Sequence, residues 1–163
     1  MNYDIRQLCI YFKDIHSRYY IDTNGSVYTS LAPSVKKVMI DGKRITVTAF
    51  INNTLPFLNR TDKQIERMPF SKDYFLLYDG TILQRLKTRV KENGEIVVSL
   101  VCTNERKCLS VPRLVAGTFV QSVDGMEVHH IDRNRANNRA DNLAVMSFEE
   151  HRGKGNYKPN HNL

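Results

Sequence analysis

The stretch EVHHIDRNRANNRADNLAVMSFEEH, residues 127–151, decides how this chain is read. His129 and His130 stand side by side near its start, and His151 closes it. GMEVHHI (125–131) predicts a strand, with Val128 on one face and His129 and Ile131 on the other. DRNRANNRAD (132–141) predicts a turn-rich loop, because Asp and Asn fold back on their own backbone and tolerate left-handed conformations. NLAVM (142–146) predicts a second short strand. Ser147 and Glu150 then make an S-x-x-E capping box that starts a helix at Phe148, with His151 one turn inside it. The order is strand, loop, strand, helix.

Neighbours on a strand point to opposite faces, so His129 and His130 are poorly placed to bind one metal together. They can divide labour. His151, if its helix faces the hairpin, joins His129 as a second ligand. Two neutral ligands leave most of an octahedral Mg²⁺ shell open to phosphate oxygens and water. His130 is then left to take a proton from an attacking water, which an imidazole titrating near about 6.5 can do around neutral pH. Each feature alone has a plainer explanation. A His pair on a strand is usually surface or satisfied core, and Asn-rich loops are usually just turns. The order and spacing join them into one constellation.

The rest of the 163-residue chain is consistent with an anionic partner. Twenty-four Lys and Arg against 17 Asp and Glu give a formal charge of +7, which favours nucleic acid or an acidic membrane surface over neutral partners. Solubility alone is the bland reading of that charge. Cys9, Cys102 and Cys108 are odd in number and form no CxxC, which argues against a disulfide framework or a cysteine zinc site and suits a reducing compartment. The N-terminus is charged throughout, unlike a signal peptide, and no apolar run approaches the roughly 20 residues of a membrane helix.

Ile5, Leu8, Cys9, Phe12 and Ile15 have the spacing of an amphipathic helix over 3–16. YIDTNGSVY (20–28) lines up with FLLYDGTIL (75–83), and IDGKRITVTAF (40–50) with ENGEIVVSLV (92–101). Each pairing sets an NG or DG turn beside a β-rich run, which predicts hairpins; a degenerate duplication and a coincidence of common turn signals both explain it. Residues 52–74 hold two prolines and polar clusters and make the best boundary, with Thr61 placed to cap a short helix over 62–67. In QRLKTRVK (84–91), Arg85, Lys87, Arg89 and Lys91 alternate with Leu86, Thr88 and Val90. One strand would line all four cations on one face, either as a solvated edge or as a strip along a phosphate backbone. SVPRLVAGTFV (110–120) predicts a short helix with Ser110 as cap and Pro112 in its first turn.

VHHIDRNRANNRADNLAVMSFEEH (128–151) resembles the HNH endonucleases, most closely the branch common in bacteriophages and mobile introns. Upstream, Arg113-Leu114-Val115-Ala116 and Phe119 resemble the helix that precedes the motif there, and the β-rich stretch from residue 75 is also similar. The resemblance covers about half the chain; the first 70 residues match no named pattern. It implies His129 and His151 as metal ligands, His130 as general base, and Asn142 as the residue that holds the loop and orients the base. Asn138 and Asp132 fall at loop-forming positions. Arg133 stands where many members have Gly, so the turn after Asp132 is expected to differ or be strained. The second strand lacks a frequent tryptophan.

The expected fold class is α+β, small antiparallel hairpins and sheets with short helices, ending in a C-terminal ββα-metal unit. Three divisions follow: 1–70 as a helix plus β-rich unit, accessory or DNA-binding; 71–120 as a second β-rich unit with a short helix, contacting DNA; and 121–163 as the nuclease unit with a basic tail. The implied function is a DNA endonuclease using Mg²⁺, Mn²⁺ or another divalent metal, homing-type among its forms, acting on double-stranded DNA in the cytoplasm, the host's for a phage-encoded chain. Arg85, Lys87, Arg89, Lys91, Arg133, Arg135, Arg139, Arg152 and Lys154 are the expected DNA contacts. A monomer would nick and a homodimer could cut both strands. The alternative is a DNA-binding protein that keeps the fold without cutting, against which the intact His129, His130 and His151 speak. An RNA-binding or structural protein with histidine-bound zinc ranks last, since two His ligands without cysteines make a poor structural site.

Overall fold

The computed structural model describes residues 4–32, 37–40, 42–46, 48, 65–67, 73–77 and 81–153. Lys154, the tail beyond it, most of the expected boundary segment 52–74 and the Asp79-Gly80 turn lie outside the described residues.

A six-stranded sheet forms the first layer. Its strands are β1 (Ile5–Gln7), β2 (Tyr19–Asp22), β3 (Val27–Ser30), β6 (Ile65–Arg67), β7 (Tyr74–Leu77) and β8 (Ile82–Arg85), in the order β1-β2-β3-β8-β7-β6. β4 (Lys37–Ile40) and β5 (Lys43–Thr46) pair as a separate hairpin. β9 (Arg89–Val90), β10 (Ile96–Val101) and β11 (Arg106–Ser110) make a three-stranded sheet with β10 central. Helix α1 (Val111–Phe119) follows directly. Then come β12 (Glu127–His130), β13 (Leu143–Met146) and helix α2 (Phe148–Gly153). The strand pairs are antiparallel, and the architecture is α+β.

One apolar core gathers Leu8, Ile21, Leu100, Val115 and Leu143, all buried, so the N-terminal strands meet the second half of the chain in it. Burying each such side chain contributes on the order of 1.5–3 kcal/mol. α1 presents Leu114, Val115 and Ala116 to that core. A Cβ added at Gly117 would come within 2.5 Å of the Phe12 ring, so this glycine lets the N-terminal segment lie against α1.

Four local expectations are corrected. Residues 3–16 do not form a helix: β1 is followed by a 3₁₀ turn over Leu8–Ile10 and an isolated bridge from Ile15 to Cys102. The apolar positions still face inward, but β1 finds backbone partners along β2, Ile5 opposite Asp22, and that pairing outweighs weak helix propensity. Within the helix expected over 62–67, residues 65–67 are strand β6, paired with β7. The strip 85–91 is not one strand. β8 ends at Arg85, residues 86–88 are irregular, and β9 begins at Arg89 in a different sheet. Val90 is 70% exposed, so the alternating apolar face does not pack throughout. Ser110 sits at the N-cap of α1 without a side-chain cap bond; its hydroxyl bonds Glu95 instead.

The hairpin reading holds where it can be seen. Gly25 and Gly94 occupy turns at φ +82°, between β2 and β3 and between β9 and β10. β3 pairs with β8, so strands from both sides of residue 70 share one sheet. The three cysteines are unpaired.

Candidate active site

β12 and β13 pair so that His129 lies opposite Ala144 and His130 opposite Leu143. Leu143 and Met146 are buried and anchor the hairpin on the core without a tryptophan. The capping box forms in both directions: Ser147 N donates to the Glu150 carboxylate at 2.8 Å, and Glu150 N donates to Ser147 Oγ at 3.2 Å. α2 has only six residues and none is buried, so it depends on that cap and on its contact with β12 to hold its shape.

α2 brings His151 to His129. Their rings stand 5.5 Å apart, edge to face at 68°. His130 turns away from them, and its Nε2 lies 2.8 Å from Asn138 Oδ1. A carboxamide oxygen only accepts, so in this contact a protonated Nε2 is the donor that Asn138 Oδ1 suits. Adjacent on one strand, His129 and His130 thus engage different partners, His151 and Asn138.

The asparagines divide their work differently from expectation. Asn142 does not bond His130. Its Nδ2 donates to Asp132 Oδ1 (2.9 Å) and to the Asn137 carbonyl (2.8 Å), and its Oδ1 accepts from Asp132 N (3.1 Å). Asn142 thus closes the loop, while Asn138, 5% exposed, holds the imidazole. Sequence reasoning placed Asn138 only as a loop former; its position eight residues past His130 in a turn-rich loop gave no sign of which way it points. Asp132 binds the loop together, accepting from Asn137 Nδ2 (2.7 Å) and Asn134 N (2.8 Å) as well. Donation from Asn137, then Asn142 and the Asn134 amide, with the nearby His130, holds its carboxyl below the usual carboxylate range.

Arg133 has φ +61°, and among the described residues it is the only non-glycine in the left-handed region. Its N–H donates to the His130 carbonyl at 2.9 Å, so this tight turn follows directly on His130. The strain expected from a missing glycine is present.

A hollow of about 460 Å³ opens at the hairpin and includes His129, His130, His151, Arg133 and Arg135 in its wall. Glu127, Glu95 and Arg113 also line it, none of them expected as a site residue. Glu127 was findable, two residues before His129 on the same strand face. Glu95 comes from another sheet and carried no signal. Hydrogen bonds from Lys91 and Ser110, and the charges of Lys91 and Arg135, hold the Glu95 carboxyl below its ordinary range. Arg113 spans from α1 to the segment before β12, donating to the Val123 (2.7 Å) and Met126 (2.8 Å) carbonyls.

The expected cations are dispersed. Arg85 and Lys87 line a second hollow, where Arg85 bonds Ser26. Arg89, 3.3 Å from Cys108 Sγ, and Lys91, paired with Glu95 at 2.7 Å, border a third. Arg135 donates to the Asn93 carbonyl, Arg139 pairs with Asp141 at 3.1 Å, and Arg152 lies 4.3 Å over the Phe148 ring. Among the described expected cations, Arg133 and Arg135 line the histidine hollow.

Among the described residues no group of three or more His, Cys, Asp or Glu gathers to hold a metal ion. The two imidazoles brought together at the hairpin are those of His129 and His151. Neutral imidazoles are good ligands for divalent metals, and their edge-to-face approach on one side of the hairpin fits an ion completed by other oxygens. No helix among the described residues is long and apolar enough to cross a membrane.

Residues 122–152 match a family model described as HNH endonuclease, which bears out the resemblance read from the sequence. An uncharacterized HNH endonuclease of Acanthamoeba polyphaga mimivirus is 29% identical over 135 residues, which cover 76% of this chain and 41% of that protein. A solved structure concerning DNA binding and cleavage by the HNH homing endonuclease I-HmuI matches with a TM-score of 0.51 at 18% identity, covering 95% of this chain and 61% of that one. At that identity the likeness speaks for the fold. The chain therefore spans less than two thirds of the length of either protein.

Proposed function

We propose that this chain is a divalent-metal-dependent DNA endonuclease of the HNH type. The observation that carries the reading is the separation of two adjacent histidines, His129 facing His151 and His130 bonded to Asn138. The family match over 122–152 supports it, as does the fold shared with a homing endonuclease that binds and cleaves DNA.

His129 and His151 would hold the ion, Mg²⁺, Mn²⁺ or another divalent metal. Bound there, it would stabilise charge on the phosphate and on the departing 3′ oxygen. His130 acts on the water. Nδ1 takes a proton as the water oxygen bonds to phosphorus, the bond from phosphorus to the 3′ oxygen breaks, and that oxygen is protonated from solvent. The products are a 5′ phosphate and a 3′ hydroxyl. Asn138 Oδ1 accepts from Nε2–H, so it fixes the ring's tautomer and stabilises the imidazolium that forms. Asn142 and Asp132 keep the loop closed around that pair.

Double-stranded DNA is the substrate. Arg133 and Arg135 contact the phosphates nearest the histidines, and Arg85, Lys87, Arg89, Lys91, Arg139, Arg152 and Lys154 contribute positive charge at greater distance. Their contribution weakens as salt rises. The upstream strands hold the duplex, a monomer nicks, a homodimer cuts both strands, and the work is done in the cytoplasm. The test is incubation with supercoiled plasmid and a divalent metal, with and without chelator. Relaxed or linear product that the chelator abolishes supports the reading. Tight DNA binding with no product under any divalent metal rejects it in favour of a non-cleaving DNA-binding protein.

A further inference from the structure

The base is held by Asn138, and Asn138 is itself held by a distant part of the chain. The turn between β2 and β3 lies against it. A Cβ built on Gly25 would come 3.0 Å from Asn138 Cβ and 3.1 Å from the Asn138 carbonyl oxygen, with Val111 Cγ1 at 3.4 Å. Two residues on, Ala140 N donates to the Thr23 carbonyl at 2.8 Å. The turn therefore touches the loop by close packing and by a hydrogen bond, on both sides of Arg139.

The turn is built to be stiff. Asp22 is 1% exposed. Its Oδ1 accepts from Asn24 N (2.9 Å) and Ser26 N (2.8 Å), and its Oδ2 accepts from the Tyr28 hydroxyl (2.7 Å). Gly25 N donates to the Asp22 carbonyl at 3.0 Å, and φ at Gly25 is +82°. A side chain there would meet both a backbone penalty and the Asn138 backbone.

We propose that Gly25 is a positioning residue for hydrolysis: the β2–β3 turn backs Asn138 and thereby sets the orientation of His130. The proposal rests on the reading of His130 as general base. It gives the N-terminal sheet a part in the chemistry besides holding DNA. A misplacement of about 1 Å in a catalytic group can cost on the order of 100-fold in rate. The contact at Gly25 is close enough that a methyl group forces a shift of a few tenths of an ångström or more.

The experiment compares Gly25→Ala with Gly42→Ala. Gly42 has φ +75° in the β4–β5 hairpin, and a Cβ there meets nothing within 4 Å, so it reproduces the backbone strain without the contact. Cleavage at saturating enzyme and metal should fall about 10–100-fold in Gly25→Ala, with DNA affinity unchanged, and stay near wild type in Gly42→Ala. In ¹⁵N-histidine-labelled protein without metal, the His130 ring should be Nε2-protonated in wild type and Gly42→Ala. Gly25→Ala should give a tautomer mixture. If Gly25→Ala does not fold, Tyr28→Phe serves. It removes the hydroxyl bound to Asp22 Oδ2 and should lower the rate and perturb the same ring signals. Wild-type rates and unchanged ring signals in the folded variant overturn the proposal, as do equal effects in Gly42→Ala. If wild type itself does not cut, the nuclease reading fails, and the ring signals still decide whether the turn orients His130.

Discussion

His130 Nε2 is 2.8 Å from Asn138 Oδ1, and this bond, rather than one from Asn142, orients the imidazole. Asn138→Ala would leave the ring free to rotate and remove the acceptor for its N–H. We expect a fall of about 100-fold in cleavage rate, with metal affinity little changed. Calorimetric titration with metal alongside single-turnover cleavage separates the two effects.

His129 and His151 stand apart from that bond, with ring centres 5.5 Å from each other. In the proposed metal site, replacing either with Ala would remove one of the two imidazole ligands. Metal affinity should fall by more than the roughly 10–100-fold that follows loss of a supporting partner. The α2 capping box does not use His151, so thermal melting of His151→Ala should stay close to wild type. Titration with Mn²⁺ followed by calorimetry reads the affinity.

Arg133 adopts φ +61° in the turn that follows His130 and lines the histidine hollow. Arg133→Gly should relieve about 1 kcal/mol of backbone strain and raise Tm by about 2–4 °C. It should also weaken DNA binding and reduce the salt slope by about one unit. Calorimetric melting and binding titrations at several salt concentrations give both numbers.

Asp132 has its carboxyl held below the ordinary range by donation from Asn137, Asn142 and the Asn134 amide. A carboxyl whose folded pKa is lowered contributes stability above its unfolded value, about 3.9, and loses it as pH falls through the folded value. Asp132→Asn should therefore be less stable than wild type at pH 6–7. The gap should close as the medium is acidified below about pH 4. Chemical denaturation at several pH values checks the sign.

The ββα unit was legible because its signals are local. Alternation marks β12, the Ser147–Glu150 box marks the start of α2, and turn residues fill the loop between strands. Strain at Arg133 was legible through the family resemblance instead, since Arg stands where many members have Gly. What failed depended on partners distant in sequence. Ile5 to Ile15 have helical spacing, but β2 offers β1 a backbone ladder. Arg85 to Lys91 alternate like one strand, yet the chain changes sheets between Arg85 and Arg89. Ser110 looks like a cap, and its hydroxyl is taken by Glu95. Asn138 rather than Asn142 is bonded to His130, and loop asparagines of similar chemistry are told apart only by direction. Nothing in the pattern around Gly25 pointed to Asn138 as its neighbour.

The central claim is that His130 is the base of a nuclease site whose metal is held elsewhere. The most direct measurement is single-turnover cleavage of supercoiled plasmid with wild type and His130→Ala, beside DNA and metal binding for both. The account predicts cleavage by wild type and a loss of about 10²–10⁴-fold in the variant, with both binding affinities retained. A His130→Ala protein that cuts near the wild-type rate would contradict it.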